Sequence, residues 1–369
     1  MGKKEFKYYT LERIKSQEAQ YNIAFGERSN GKTYAGKMEI LKDYFDNGKQ
    51  GAYIRRWDDD IKGVRGAELW KDALPMIEKM SGGKYNKVVY RSRRFYMACG
   101  DDMEDEPFCY AFALNVAEHD KSSSFPNVRV IVFDEFLTRG VYIPQEFIAF
   151  TNLISTIARN RKDIKIYMFG NTVNKYCPYF AEMGLGHVKE MKPADLEVYT
   201  YGDSGLRVAV EYTGNATSQY KESNVLFAFN NPKLNMIKRG SWEIDIYPHI
   251  PLKYAPRDIM LVYFIKFDGE LLQADVVRGG VTMDNDQKYI QAPFTYIHEK
   301  TTDIKNPETD IIFSLETVPN YNHYTYLNEG RDKLSKAIWR FYSIGKVFYQ
   351  NNEVGEIVRN YIKNCKNLS

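Results

Sequence analysis

The chain has 369 residues, 44% of them hydrophobic and 15% aromatic, and a formal net charge of +3. This suits a globular protein of one large domain or two to three smaller ones, and near-neutrality means that any surface for a polyanion has to be local. No apolar run approaches the roughly 18 residues of a membrane span, and MGKKEFKYYTLERIKSQEAQ lacks the apolar core of a secretory leader. Cys99, Cys109, Cys177 and Cys365 have no metal-ligand spacing and read as reduced intracellular thiols.

In chain order, YNIAF (21–25) is a short strand, TYAGKMEILKDYFDNG (33–48) a helix ending at Gly48, and QGAYIRRW (50–57) a second strand. ELWKDALPMIEKM predicts a helix broken at Pro75. KVVYRS and FCYAFALN are further strands, with the acid run DDMEDE (101–106) between them as a solvated loop. VRVIVFDEF (128–136) is a continuous apolar run closed by acids, as a buried parallel strand should be. PQEFIAFTNLISTIARNR (144–161) predicts a long amphipathic helix and KIYMFGNT (165–172) another buried strand. Alternating strands and helices with apolar strands predict a mainly parallel sheet covered on both faces. LEVYTYGDSGLRVAVEYT is then a hairpin, residues 214–247 a polar linker, and 248–369 a smaller α+β unit. That unit holds the hairpin IMLVYFIKFDGELLQADVV and two terminal helices, RDKLSKAIWRFYSIGKVFYQ and EVGEIVRNYIKN.

One stretch carries most of the chemistry. GERSNGKT (26–33) is G-x-x-x-x-G-K-[ST] without a mismatch, after a strand and opening a helix. Gly26 and Gly31 let the backbone of Glu27, Arg28, Ser29 and Asn30 curl so that amides face phosphate oxygens. Lys32 would reach the β- and γ-phosphates of ATP, and Thr33 would ligate Mg²⁺. At the tip of the apolar strand, Asp134 suits the same Mg²⁺ and Glu135 suits the deprotonation of an attacking water. A small-molecule kinase needs no such acid, so Glu135 favours hydrolysis coupled to work. Arg159 and Arg161 end the long helix, and either one could serve as an arginine finger to a neighbouring subunit or as a solvated helix end. Asn171 closes the next strand, as a γ-phosphate sensor or a turn former.

Together GERSNGKT, VIVFDEF and the order IARNR…KIYMFGN resemble the DNA-packaging ATPases (encapsidation proteins) of short-tailed bacteriophages, relatives of the large terminases. The resemblance covers about residues 20–175. It implies a P-loop NTPase domain (ASCE type, RecA-like parallel sheet) over 1–213, a linker, and an RNase H-like C-terminal domain over 248–369. It also implies that Arg28 is the arginine of the phosphate loop and that Lys121, in EHDKSSSFPNV, acts on the neighbouring subunit. The finger falls on Arg159, with Arg161 left open. The implied assembly is a homo-oligomeric, pentameric ring on the portal of a procapsid in the host cytoplasm. It threads double-stranded DNA inward, with no membrane partner and with room for a scaffold RNA. Within RRWDDDIKGVRG (55–66), Arg56, Lys62 and Arg65 are the candidate DNA contacts, or else ordinary solvated charges. Asp268, Asp275, Asp303 and Asp310 lie near predicted turns rather than inside apolar strands, so the C-terminal domain is expected to be nuclease-like in shape and inactive. The alternatives are a P-loop motor for another polymer, such as a helicase or a conjugative or secretion ATPase, and a P-loop kinase.

Overall fold

The computed structural model of the chain describes residues 8–28, 30–120, 124–213, 245–249, 254–279, 281–282, 289–290, 292–315, 323–324, 326–328 and 332–367. It separates into two compact units, Met1–Glu243 and Ile244–Ser369. Most of the expected linker, residues 214–244, lies outside the described residues, as do Ser29 and Lys121.

The first unit is built on one sheet. Its strands are β1 (Tyr21–Gly26), β2 (Gln50–Arg55), β3 (Lys87–Arg91), β4 (Arg94–Cys99), β5 (Asp102–Met103), β6 (Cys109–Ala113), β7 (Val128–Asp134), β8 (Lys165–Asn171), β9 (Leu196–Tyr201) and β10 (Leu206–Thr213). Their order is β3-β4-β6-β2-β7-β8-β1-β10-β9, with β5 paired to β4. From β6 to β10 every pairing is parallel, and antiparallel strands close the two edges. The strands read as unbroken apolar runs because both faces are covered. Ile23, Phe25, Ile131 and Phe133 join one buried cluster, while Ala24, Val130, Val132 and Phe169 join the other.

Among the described residues, six α-helices accompany the sheet: α1 (Glu12–Lys15), α2 (Lys32–Asn47), α3 (Gly63–Glu68), α4 (Leu74–Met80), α5 (Glu146–Ala158) and α6 (Pro178–Glu182). Ile40 and Leu41 of α2 seat in one apolar cluster, and Phe150, Leu153 and Ile157 of α5 in the other. Gly48, left-handed at φ 64°, ends α2. Pro75 does not break a helix as expected; it stands in the first turn of α4, where its missing N–H costs no hydrogen bond. Parallel strands all point the same way, so Gly26, Arg55, Asp134 and Asn171 gather at one edge. That edge is where α/β sheets bind ligands.

The second unit carries a mixed sheet of β11 (Ile259–Phe267), β12 (Glu270–Val277), β15 (Phe294–Glu299), β16 (Ile312–Ser314), β17 (His323–Tyr324) and β18 (Val347–Tyr349). The order is β17-β16-β11-β12-β15-β18; the two-residue strands β13 (Val281–Thr282) and β14 (Tyr289–Ile290) pair apart from it. An antiparallel meander, β11-β12-β15, is extended beside its first strand by the parallel strands β16 and β17. Helices α7 (Lys333–Ser343) and α8 (Asn352–Asn367) follow, and VFY, expected as the end of a helix, forms β18.

Candidate nucleotide site

The phosphate loop owes its shape to two glycines. Gly26 sits at φ 152°, and a Cβ there would come 2.2 Å from Thr213 Oγ1. Gly31 sits at φ 97°, a left-handed position disfavoured for any other residue. Between them Asn30 is buried. Its amide donates to Thr213 Oγ1 at 2.9 Å, and its Oδ1 accepts from the Lys32 backbone N–H at 3.3 Å and from Lys32 Nζ at 3.1 Å. Lys32 Nζ also donates to the Glu27 carbonyl at 2.7 Å. The ammonium thus lies folded back against its own loop. Burial pulls its pKa down to about 7, against the pull of Asp134 and Glu27. Arg28 is exposed.

Residues 101 positions apart meet at the head of α2, where Thr33 Oγ1 donates to Asp134 Oδ1 at 2.9 Å. Tyr53 donates to Asp134 Oδ2 at 2.6 Å, its phenol pushed up by burial and by that carboxylate. A hydroxyl and a carboxylate side by side are hard oxygen donors of the kind Mg²⁺ takes when phosphates complete its shell. Among the described residues no group of three or more His, Cys, Asp or Glu could hold a metal ion.

Glu135 follows at φ 61°, a left-handed residue at the strand tip whose side chain is 60% exposed. Two arginines missed as a pair by sequence reasoning hold it. Arg55 Nη1 lies 2.9 Å from Glu135 Oε2 and 3.4 Å from Asp134 Oδ2; it makes no aligned hydrogen bond, so the contact is an ion pair. Arg56 donates to the carbonyls of Glu135 at 3.1 Å and Phe136 at 2.6 Å and to Glu146 Oε2 at 2.8 Å. The only signal in the sequence was their adjacency in a strand, whose alternation sends the two side chains to opposite faces.

Arg56, expected as a DNA contact, is therefore corrected. It is 5% exposed, held by Glu146 and two carbonyls, and packed against the Tyr142 ring at 4.8 Å. Lys62 and Arg65 are exposed, but Lys62 pairs with Asp59 at 2.5 Å and Arg65 approaches Asp60 at 3.9 Å. Arg161 is likewise corrected as a finger candidate. It donates to the carbonyls of Phe125, Ile157, Ala158 and Val128, tying the end of α5 to the start of β7. Arg159 is exposed at φ 42°, at the same end. Asp134 is six residues further along β7, about 20 Å at ~3.3 Å per residue, so Arg159 stands far from its own chain's phosphate loop. Asn171 pairs in register with Gly26, which puts it beside the loop.

In the second unit, Asp275 is corrected as well. It lies inside β12 and is 4% exposed, with Tyr254 donating to it at 2.5 Å, Gln273 at 2.8 Å and His298 3.4 Å away. Burial alone would raise its pKa, but these partners bring it below the usual carboxylate value. Asp268 sits in the turn after β11 at φ 54°, and Asp303 and Asp310 lie in the segment before β16.

Fold and site together define a P-loop NTPase: a parallel sheet, a glycine-shaped phosphate loop opening a helix, and an Asp-Glu pair on the central strand. Residues 3–202 match the Podovirus DNA encapsidation protein (Gp16) family, and the chain belongs to that family. It is 30% identical over 176 residues to the DNA packaging protein of Bacillus phage phi29, covering 47% of this chain and 49% of that protein. With the DNA packaging protein of Bacillus phage B103 it shares 27% over 176 residues, 44% of this chain and 48% of that one. The chain spans about half the length of the curated relatives it matches. Among solved structures, the bacteriophage Phi-29 viral genome packaging motor assembly aligns with a TM-score of 0.56 at 20% identity, over 97% of this chain and 99% of that chain. The Phi-28 gp11 DNA packaging motor aligns with a TM-score of 0.55 at 19% identity, over 97% and 98%. Those likenesses establish the fold of the chain.

Proposed function

We propose that this chain is an ATPase that drives double-stranded viral DNA into a preformed procapsid, working as a homo-oligomeric ring docked at the portal in the host cytoplasm. The observation that carries the reading is the contact of Thr33 with Asp134 at 2.9 Å, with Glu135 next in the chain. Backbone amides of residues 26–33 and Lys32 would cradle the phosphates. Thr33 and Asp134 would hold Mg²⁺, which when bound would neutralise charge on the β- and γ-phosphates. Glu135 accepts a proton from water as its oxygen attacks the γ-phosphorus and the bond to the bridging oxygen breaks. Arg55 holds the Glu135 carboxylate and Arg56 its carbonyl, so the base is fixed at both ends. Asn171, beside Gly26, is suited to sense whether the γ-phosphate is there.

Arg159 stands far from its own loop, which supports a role on the next subunit; Arg161 is committed to four carbonyls of its own chain. A finger of this kind is worth about 10³- to 10⁵-fold in turnover. Lys121 remains proposed as a second basic group acting across the interface. A pentameric ring and a scaffold RNA complete the reading by family likeness. We assign the C-terminal unit no cutting step, since its buried Asp275 is already engaged by Tyr254, Gln273 and His298.

Mixing tests the shared site. Arg159→Ala and Glu135→Gln are each inactive alone in the presence of DNA and procapsids. Combined, they recover partial ATP turnover, because some interfaces pair an intact Glu135 with an intact Arg159. Absence of any recovery across mixing ratios contradicts the shared site.

A further inference from the structure

The bases of the 58–66 loop are largely neutralised by their own acidic neighbours. Lys62 and Arg65 stand against Asp58, Asp59 and Asp60, and Lys62 and Arg65 each lie beside one of these acids. The uncompensated positive charge lies next to the loop, at the turn between β3 and β4. That turn reads Arg91-Ser92-Arg93-Arg94. Ser92 and Arg93 are both left-handed, at φ 50° and 59°, in a two-residue turn that ordinarily takes Asn-Gly or Asp-Gly. Arg91 and Arg94 pair directly across the hairpin, although like charges opposite one another destabilise a strand pair. Both are exposed, and neither has a carboxylate within ion-pair distance among the described residues. Two local rules are broken at one spot, and such places in a protein tend to be functional.

The tip is not loosely attached. Arg93 donates to Asp58 at 2.6 Å, and the Tyr90 hydroxyl donates to the Ile61 carbonyl. Gly66 is a glycine where a Cβ would come 2.4 Å from the Tyr90 ring. Arg94 is braced over the Tyr110 ring at 5.9 Å. The hairpin therefore presents Arg91 and Arg94 as exposed cross-strand partners, on a turn anchored through Tyr90 and Arg93, on the antiparallel edge of the sheet.

We propose that the β3–β4 turn is a contact for the phosphate backbone of duplex nucleic acid, with Arg91 and Arg94 each engaging a phosphate. This rests on the reading that the chain works on double-stranded DNA, and it moves the main grip from Lys62 and Arg65 to the hairpin. Planar forks match phosphate oxygens, and paired phosphates would relieve the repulsion that the bare turn carries. Nothing in the turn reads a base edge, so the contact is indifferent to sequence.

The test is binding of the full chain to two unrelated 30-base-pair duplexes over a range of salt. Removing one arginine–phosphate pair lowers the slope of log K against log salt by about 0.9, so Arg91→Ala/Arg94→Ala should lower it by about 1.8 on both duplexes. Affinity at low salt should fall at least tenfold, nucleotide binding should be unchanged, and the melting temperature should not drop. Arg91→Lys/Arg94→Lys should restore most of the slope, because the charge is retained. Wild-type slope in the alanine variant overturns the proposal while leaving the motor reading intact. Absence of duplex binding by the wild-type chain overturns both. Unchanged duplex binding with loss of self-association would identify the acidic face of a second copy as the partner, and would overturn it too.

Discussion

At the scale of single residues, the site is a set of charges kept in place by neighbours rather than by the nucleotide. Lys32 makes this measurable. Its folded pKa, about 7, lies below that of a free lysine, so between about 7 and 10.5 the folded chain binds fewer protons than the unfolded one. The resulting penalty is fully present below pH 7 and fades as pH rises, so Lys32 itself makes the chain more stable toward alkaline pH. Phosphates require the charged form, so nucleotide binding runs the other way. At pH 8, ADP binding should take up close to one proton, and affinity should fall toward tenfold per pH unit above about 7. Calorimetry in buffers of different ionisation enthalpy checks this; zero proton uptake with flat affinity contradicts it. Arg159 and Arg161 separate by a different measurement. Arg161→Ala strands carbonyls of Phe125 and Val128 and should cost on the order of 2–4 kcal/mol in denaturant unfolding, whereas Arg159→Ala should cost under ~0.5 kcal/mol.

At the scale of elements, two glycines let α2 pack directly against the sheet. Gly36 lets the helix approach Phe169, where a Cβ would come 2.3 Å from the ring, and Gly51 of β2 faces Ile40, where it would come 2.4 Å away. Gly51→Ala should therefore lower the urea midpoint by an amount equivalent to about 1–3 kcal/mol, the usual cost of overpacking, and loosen nucleotide binding because α2 carries Thr33. An unchanged midpoint would mean that the helix rides free of the sheet. The same elements show what was legible beforehand. GERSNGKT and VIVFDE could be read because local backbone geometry and a strand tip decide their roles within a few residues. Arg56 and Arg161 were misread because an arginine in a polar stretch looks solvated, and only tertiary packing brings Glu146 or the carbonyls of Phe125 and Val128 to it. Arg55 was passed over for the same reason, since its partners stand some 80 residues away. The C-terminal unit was harder still: β18 is three residues long and its pairing with β15 is a long-range event.

At the scale of the whole molecule, the proposed function puts all the chemistry in the first unit and none in the second. Family membership and the fold of the chain agree with an engine of the packaging type, and the position of Arg159 asks for a neighbour to complete it. Everything then depends on Glu135 being the base that activates water. The most direct measurement is phosphate release from ATP by Glu135→Gln in the presence of DNA and procapsids, beside its nucleotide affinity. The variant should bind ATP as tightly as the wild-type chain and release phosphate at least 100-fold more slowly, the lower end of what a general base supplies. Wild-type release by that variant would contradict it.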